Sequence, residues 1–267
     1  MRRYGMQRNH PPLNHLHSNT LLSSYHRLFV LQVTLTVYYL SYVLFLYAPY
    51  LYGQPQTSQT NQANTPPASV IFSQNFTDLQ AIDSSIIVDM RYFSNNNFIG
   101  TQIDGYQANR CLLTKNAALA LKKVQDQLKT MALSLKVYDC YRPQRAVDHF
   151  VRWQKQINNY AMKAHYYPDL DKKQLFDLGY IAYKSGHSRG STIDLTIEGL
   201  DMGSPWDFFG PISHTHSPKI TIAQKAHRLL LKTLMESHGF TNYHKEWWHF
   251  TLRNESFPTT FFDVVIR

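Results

Sequence analysis

The 267-residue chain contains only two cysteines, Cys111 and Cys140. Two are too few for a disulfide-rich scaffold, or for a zinc or iron–sulfur site built from cysteines alone. Glycine and proline stay at ordinary levels, with 11 and 12 residues, and aromatic residues make up 14% of the chain. This composition excludes a collagen-like or disordered protein. The length predicts one domain of ordinary size or two small ones.

Acidic residues are missing from the first 77 positions, where four arginines and no lysine occur and Asp78 is the first carboxylate. Residues 78–267 hold the other 23 basic residues against all 18 acidic ones, so that +5 of the total net charge of +9 lies there. No block of lysine and arginine concentrates this excess. A dispersed excess is typical of a solvated surface, and we therefore expect no nucleic-acid partner.

Residues 28–52 form a run of 25 residues without a charge, preceded by the basic segment 1–27. About 20 apolar residues span a bilayer. The pattern therefore favours an N-terminal hydrophobic helix that acts as an uncleaved transmembrane anchor. Cleavage as a signal segment and burial as a core helix remain alternatives. Because all the nearby charge precedes the run, the positive-inside rule predicts a protein anchored in the inner membrane with its following domain in the periplasm, or secreted after cleavage.

Residues 53–77 follow as a predicted flexible linker, since positions 53–69 are uncharged and rich in Gln, Thr, Asn and Pro. Residues 78–267 then read as one compact domain. Periodicity predicts helices over 115–133, 144–160 and 219–238, with Thr114 and Gly239 as caps, and strands over 135–138, 192–198 and 247–252. Because no βαβ series is present, we expect an α+β fold with a small, mostly antiparallel sheet and packed helices.

Two short motifs carry groups that bind metals. His187 and Asp194 flank a Gly/Ser-rich stretch, and Glu246 and His249 belong to the sequence Glu-Trp-Trp-His. Zinc hydrolases use three protein ligands and a nearby carboxylate as general base. Neither pair could share one face of a straight strand, because side chains alternate. The sequence therefore predicts His187 in a loop before the strand of Asp194, and a turn between Glu246 and His249.

A third motif, Tyr138–Pro143, places Arg142 at the end of a strand. A guanidinium there can clamp a carboxylate or stabilise an oxyanion. A structural ion pair with Asp139 remains an equal alternative.

These motifs resemble those of the zinc D,D-peptidases related to the Hedgehog fold, and more closely the D-alanyl-D-alanine dipeptidases of the VanX type. The resemblance runs from about Val88 to the C-terminus. Its matched blocks include NFIG at 97–100, DGY at 104–106, RCLL at 110–113, YRP at 141–143, HSRG at 187–190, DLT at 194–196, MG at 202–203 and EWWH at 246–249.

The resemblance implies one Zn²⁺ ion, held by three ligands, in an enzyme that hydrolyses D-alanyl-D-alanine. With the expected location outside the inner membrane, we expect this activity to serve cell-wall peptide turnover. By this resemblance Glu246 is the general base and acid, and Arg142 stabilises the oxyanion. The implied zinc ligands are His187, Asp194 and His249. The implied substrate-binding residues are Asp207, Tyr92 and Ser185.

Other functions remain open from the sequence alone. A D,D- or L,D-carboxypeptidase acting on muropeptides would use the same metal site, and a non-catalytic wall-binding module would need no general base. The sequence leaves open the oligomeric state. It also leaves open whether Cys111 and Cys140 form a disulfide or stay as buried thiols.

Overall fold

A computed structural model of the chain describes residues 66–267, together with Gln32 and Tyr38, which are both helical. The chain divides into two compact units, Met1–Ala63 and Asn64–Arg267, and the second contains the described fold. The predicted basic segment 1–27 lies outside the described residues. So do the predicted hydrophobic helix 28–52, apart from those two positions, and the first part of the predicted linker.

Within the described residues, no helix has both the length and the apolar character needed to cross a bilayer. The two longest helices of 66–267 have 15 and 16 residues and carry lysines, whereas a span needs about 20 apolar residues. This finding contradicts the prediction of an inner-membrane-anchored enzyme with a periplasmic domain.

Residues 66–267 form short helices and strands that alternate irregularly. The helices are α1 Ala68–Asn75, α2 Leu79–Ile82, α3 Lys115–Lys129, α4 Gln144–Gln154, α5 Lys163–Tyr166, α6 Lys172–Asp177 and α7 Ile222–Ser237. The strands are β1 Phe76–Asp78, β2 Ile87–Val88, β3 Leu112–Thr114, β4 Leu135–Asp139, β5 Thr192–Ile197, β6 Phe240–Asn242 and β7 His249–Leu252.

The main sheet has five strands in the order β2-β4-β5-β7-β6, and β1 pairs with β3 in a separate two-stranded sheet. Only the β2–β4 pair is parallel, and the other pairs are antiparallel. The predicted mixed α+β architecture is confirmed. Every residue of β5 is buried, because this central strand is covered on both faces.

The register of the central strands brings three functional candidates side by side. Asp194 of β5 pairs with Asp139 of β4 on one side and with His249 of β7 on the other. Directly paired residues present their side chains to the same face. The irregular register between Val137 and Asp139 marks a bulge at the end of β4, and the segment that follows leads to Arg142.

The predicted helices exist but end earlier than predicted, at Lys129, Gln154 and Ser237. Helix α7 begins with a capping box between Thr221 and Gln224, and Gly239 follows its end with a φ of +95°, as the sequence predicts. Thr114 occupies the N-cap position of α3, as predicted, but its side chain makes no capping bond, because its Oγ1 lies 2.8 Å from the Oγ of Ser191 instead.

The compact fold begins before Asp78, within the predicted linker. Residues 68–75 form α1, and the side chains of Phe72 and Phe76 are buried. Their rings lie 3.9 Å apart and pack against Tyr141 and Phe262. A polar composition predicted the linker, but two aromatic anchors at its end bind it to the core.

Cys111 and Cys140 form a disulfide, with their Cα atoms 5.3 Å apart. Both residues are buried. The question that the sequence left open is therefore resolved in favour of a bridge, which joins the start of β3 to the end of β4.

Candidate active site

Three predicted ligands come from three different local structures. His187 lies in a short 3₁₀ helix, Gly186–Arg189, which ends at Gly190 with a φ of +81°. This left-handed turn leads into β5, where Asp194 lies, and His249 is the first residue of β7. The expectation that a loop must separate His187 from the strand of Asp194 is confirmed.

The ligand atoms of these residues converge on one point. The Nε2 of His187 lies 3.2 Å from the Oδ1 of Asp194 and 3.3 Å from the Nδ1 of His249. The Nδ1 of His249 lies 3.0 Å from the same Oδ1. Zinc–ligand bonds of about 2.0–2.1 Å in tetrahedral geometry give ligand separations of about 3.3 Å. The three ligand atoms are therefore spaced as tetrahedral coordination of a zinc ion requires.

The environment of the Asp194 carboxylate indicates whether the site fits a cation. Its Oδ1 is buried and, despite the short distances to both imidazoles, has no hydrogen bond of acceptable geometry. Its Oδ2 accepts a hydrogen bond from the Nε1 of Trp206 at 3.3 Å. Burial by itself would raise the pKa of Asp194, but the imidazoles of His187 and His249 outweigh burial and hold this pKa below its usual range. An ionised, unsatisfied oxygen between two imidazoles fits a divalent metal.

The tautomer of His187 follows from its second ring nitrogen. Nδ1 lies 2.8 Å from the backbone oxygen of Cys140, and because a carbonyl can only accept, Nδ1 carries the hydrogen. The Oδ2 of Asp139 lies 3.3 Å from the same nitrogen. Nε2 therefore presents its lone pair to Asp194 and His249, which is the arrangement of a metal-binding histidine held by a second acceptor.

A turn places Glu246 beside His249. The backbone N–H of Glu246 donates to the oxygen of Tyr243, and the N–H of His249 donates to the oxygen of Glu246. The predicted turn between the two residues is confirmed. The Oε2 of Glu246 lies 3.5 Å from the Nδ1 of His249. Burial, with the charges of Asp194 and Asp207, raises the pKa of Glu246 well above its usual value.

Arg142 is fixed by Asp139 and points into the same cavity. Its Nε and Nη2 lie 2.9 and 2.8 Å from the Oδ2 of Asp139, and its Nη2 lies 3.9 Å from the Oδ2 of Asp194. The hydroxyl of Tyr106 donates to the other oxygen of Asp139 at 2.5 Å. The structural ion pair that the sequence left as an alternative exists, and it orients a guanidinium that also lines the cavity.

Asp207 and Tyr92 form a buried pair. The hydroxyl of Tyr92 donates to the Oδ2 of Asp207 at 2.6 Å. Burial, and then the nearby charge of Asp194, raises the pKa of Asp207 to about 8. The backbone of Asp207 has a φ of +58°, an unusual conformation for a residue other than glycine and one that concentrates at functional sites.

Ser185 precedes the helix of His187 and caps it. Its Oγ accepts a hydrogen bond from the backbone N–H of His187 at 3.2 Å. The residue also lines the cavity, so the structure shows a local role in holding His187 in place.

All eight predicted site residues line one cavity of about 380 Å³. Half of its other lining residues are aromatic: Phe98, Phe150, Tyr180, Phe209 and Tyr243. The sequence analysis missed Tyr180, Tyr243 and Trp206, because isolated aromatic residues carry no motif of their own. The position of Trp206 directly before Asp207 was the one available signal.

A mixed α+β fold that brings two imidazoles, a carboxylate ligand and a second carboxylate into one cavity defines a metal-dependent hydrolase. The sequence model of the peptidase M15 family, described as D-ala-D-ala dipeptidase, matches residues 72–267. The chain belongs to this family of peptidases.

Named relatives agree with this assignment. The chain is 40% identical over 198 residues to a D-alanyl-D-alanine dipeptidase of Streptomyces coelicolor, covering 72% of this chain and 98% of that protein. It is 39% identical to a D-alanyl-D-alanine dipeptidase of Enterococcus faecium, with the same coverage of both chains. It is 34% identical over 180 residues to one of Escherichia coli, covering 66% of this chain and 83% of that protein.

Proposed function

We propose that this protein hydrolyses the dipeptide D-alanyl-D-alanine with one Zn²⁺ ion held by His187, Asp194 and His249. The observation that carries the proposal is the convergence of these three ligand atoms within 3.0–3.3 Å of one another, beside Glu246, in a cavity that also contains Asp207. The names of the relatives supply the substrate.

Two imidazoles and one carboxylate are a donor set that zinc prefers, and three protein ligands leave a coordination position open. When bound, zinc supplies a Lewis acid that polarises a carbonyl and lowers the pKa of water to about 7. His187 is held for this task by the carbonyl of Cys140, and Asp194 by the indole of Trp206.

Glu246 is the proposed general base and acid. Its Oε2 lies 3.5 Å from a ligand nitrogen of His249, so it reaches the region where water attacks the peptide bond. The carboxylate accepts a proton from the attacking water and delivers it to the leaving amine.

Arg142 is the proposed oxyanion partner. Asp139 holds its guanidinium by two contacts, and its position 3.9 Å from the Oδ2 of Asp194 supports a role in stabilising the charge that develops on the carbonyl oxygen. A fixed donor of this kind stabilises the transition state without having to reorganise.

Asp207 and Tyr92 are proposed to bind the free ammonium of the dipeptide, and Ser185 to assist at the ligand loop. Asp207 is 5% exposed, so its charged form needs a partner inside the cavity. An acylated amine would leave that charge unpaired, at a cost of about 1–3 kcal/mol or more. The burial of Asp207 therefore favours a dipeptidase over a D,D- or L,D-carboxypeptidase that accepts longer peptides.

The decisive experiment measures hydrolysis of three substrates by the full chain with zinc: D-Ala-D-Ala, its N-acetyl derivative and a muropeptide that ends in D-Ala-D-Ala. We expect rapid cleavage of the free dipeptide only. Equal cleavage of the acetylated form or the muropeptide would assign the carboxypeptidase function instead.

The matched variant is Glu246→Gln, which keeps the shape of the side chain and removes the proton acceptor. We expect kcat to fall by about 10²–10⁴, while zinc content, measured by atomic absorption, stays at that of the unsubstituted protein. A variant that keeps its activity would remove Glu246 from the mechanism.

A further inference from the structure

The disulfide between Cys111 and Cys140 lies next to the candidate active site. Cys140 lies in the segment 139–142, and three of these four residues contact the site through separate groups. Asp139 contacts Arg142 and His187, the carbonyl of Cys140 accepts from the Nδ1 of His187, and Arg142 lines the cavity. The bridge is therefore attached to the residue whose carbonyl orients a ligand.

The other end of the bridge is firmly held. The carbonyl of Cys111 accepts from the N–H of Leu79 at 2.8 Å, and the carbonyl of the next residue, Leu112, accepts from the N–H of Tyr141 at 2.9 Å. Two residues further, the N–H of Thr114 donates to the oxygen of Gly190 at 2.8 Å. Strand β3 is thus bonded both to the segment that carries Cys140 and to the end of the helix that carries His187.

Without the bridge, the position of the Cys140 carbonyl would depend on noncovalent contacts alone. Backbone hydrogen bonds from Tyr141 and Arg142 connect this segment to Leu112 and His187. The Nδ1 of His187 lies 2.8 Å from this carbonyl and 3.3 Å from the Oδ2 of Asp139, the residue before Cys140. A shift of this segment would move both acceptors, and it would loosen the tautomer and the orientation that direct Nε2 to Asp194 and His249.

We propose that the Cys111–Cys140 disulfide is a positioning element of the metal site, holding the carbonyl of Cys140 against the Nδ1–H of His187 so that Nε2 stays directed at the ion. This inference rests on the proposed metal ligands and goes beyond the proposed activity. It makes metal affinity depend on the oxidation state of two residues that touch neither metal nor substrate.

A purely structural bridge makes a different prediction. Removing it would lower the melting temperature but leave the affinity of the folded protein for zinc unchanged. A positioning bridge lowers that affinity at temperatures where the protein is fully folded. The two roles are therefore separated by measuring zinc affinity and the state of His187 well below the melting temperature.

The experiment uses the full chain and its variants Cys111→Ser and Cys111→Ala/Cys140→Ala. Zinc affinity is measured by competition with a chromogenic chelator, and the Nδ1–H of His187 is followed by proton NMR in the metal-free protein. We expect zinc affinity to fall by about 10-fold and the hydrogen-bonded Nδ1–H signal to weaken or shift. Val124→Ala, on the buried face of α3, is the control: it lowers stability without changing either readout.

Reduction of the unsubstituted protein by a phosphine keeps the inference testable if the variants do not fold. The phosphine attacks one sulfur and the S–S bond breaks. Water then supplies the oxygen of the phosphine oxide and the two protons, leaving two thiols. The phosphine loses the two electrons that the disulfide gains. We expect the same changes in the proton signal and in zinc affinity as in the variants.

Each outcome decides a separate question. If the folded variants, or the reduced protein, keep either the zinc affinity or the His187 signal of the oxidised protein, the positioning role is wrong. If the unsubstituted protein binds no zinc, the proposed function fails, and the metal-free proton signal alone then decides the role of the bridge.

Discussion

At the scale of single residues, the site depends on a few polar groups whose environments differ sharply within one cavity. The neighbouring imidazoles overcome the effect of burial on Asp194, and its pKa falls. Asp207 is equally enclosed but has a neutral phenol as its partner, and its pKa rises to about 8. Asp194 is thus ionised and able to bind a cation, whereas Asp207 becomes charged only near the pH range in which a substrate ammonium would bind to it.

This difference predicts the pH dependence of substrate binding. At a pH below its pKa of about 8, the Asp207 carboxyl is neutral and cannot pair with an ammonium. At a higher pH it is a carboxylate and can form this pair. The KM for a dipeptide with a free amine should therefore fall as the pH rises from 6 to 8, measured in steady-state assays.

The variant Asp207→Asn should lose this dependence, because an amide does not ionise. Its KM at pH 8 should rise by about 10- to 100-fold, since a hydrogen bond to a charged group contributes about 1.5–3 kcal/mol. The N-acetylated dipeptide, which is not expected to be cleaved, should show no such rise when its inhibition constant is measured instead. A variant whose KM still falls with pH would show that another group is responsible.

At the scale of elements, the site lies within β5, at the level where β4 ends and β7 begins. Strand β5 places Asp194 between Asp139 of β4 and His249 of β7, and the turns at Gly190 and Glu246 add His187 and the proposed base. Helix α1 and strand β1 pack from outside this group: the ring of Phe76 would collide with any Cβ placed on Gly190, at 2.1 Å. The N-terminal elements therefore pack directly on the loop that carries a ligand.

This packing predicts that α1 belongs to the folded domain. Phe72→Ala should lower the free energy of unfolding by about 3–5 kcal/mol, the usual cost of removing a buried phenylalanine, as measured by urea denaturation. Val70→Ala, on the same helix but 39% exposed, is the control and should change it by less than about 0.5 kcal/mol. Equal effects would mean that α1 is attached loosely, as the predicted linker implied.

At the scale of the whole molecule, metal binding should couple to folding. The first and last of the three ligands, His187 and His249, are 62 residues apart in sequence. Only the folded sheet brings them together. A metal that binds the native state alone adds stability that depends on its concentration.

Removing zinc with a chelator should therefore lower the melting temperature and abolish activity, and adding zinc back should restore both. Zinc at 100 times its dissociation constant should contribute about 2.7 kcal/mol. His249→Ala should have a melting temperature that does not respond to zinc, measured by differential scanning calorimetry. A response in this variant equal to that of the unsubstituted protein would place the bound ion elsewhere.

The sequence by itself predicted the mixed α+β class, the main helices and the motifs of His187, Asp194, Arg142, Glu246 and His249, because periodicity and short motifs are local properties. Asp207, Tyr92 and Ser185 became candidates only through the resemblance to a known family. It also required a loop at His187 and a turn at Glu246, since side chains alternate along a strand. It placed the start of the domain too late, because composition does not show that Phe72 and Phe76 find aromatic partners distant in sequence. The predicted membrane location was wrong, since the described residues contain no helix that could span a bilayer. It had been inferred from a hydrophobic run alone.

Only the tertiary structure decided which distant groups meet. The pairing of Cys111 with Cys140, the indole of Trp206 on Asp194 and the phenol of Tyr92 on Asp207 join residues separated by up to 115 positions. The same is true of the single oxygen of Asp194 that faces two imidazoles. Such contacts depend on strand register and side-chain burial, which the whole fold sets cooperatively, whereas a motif constrains only its near neighbours along the chain.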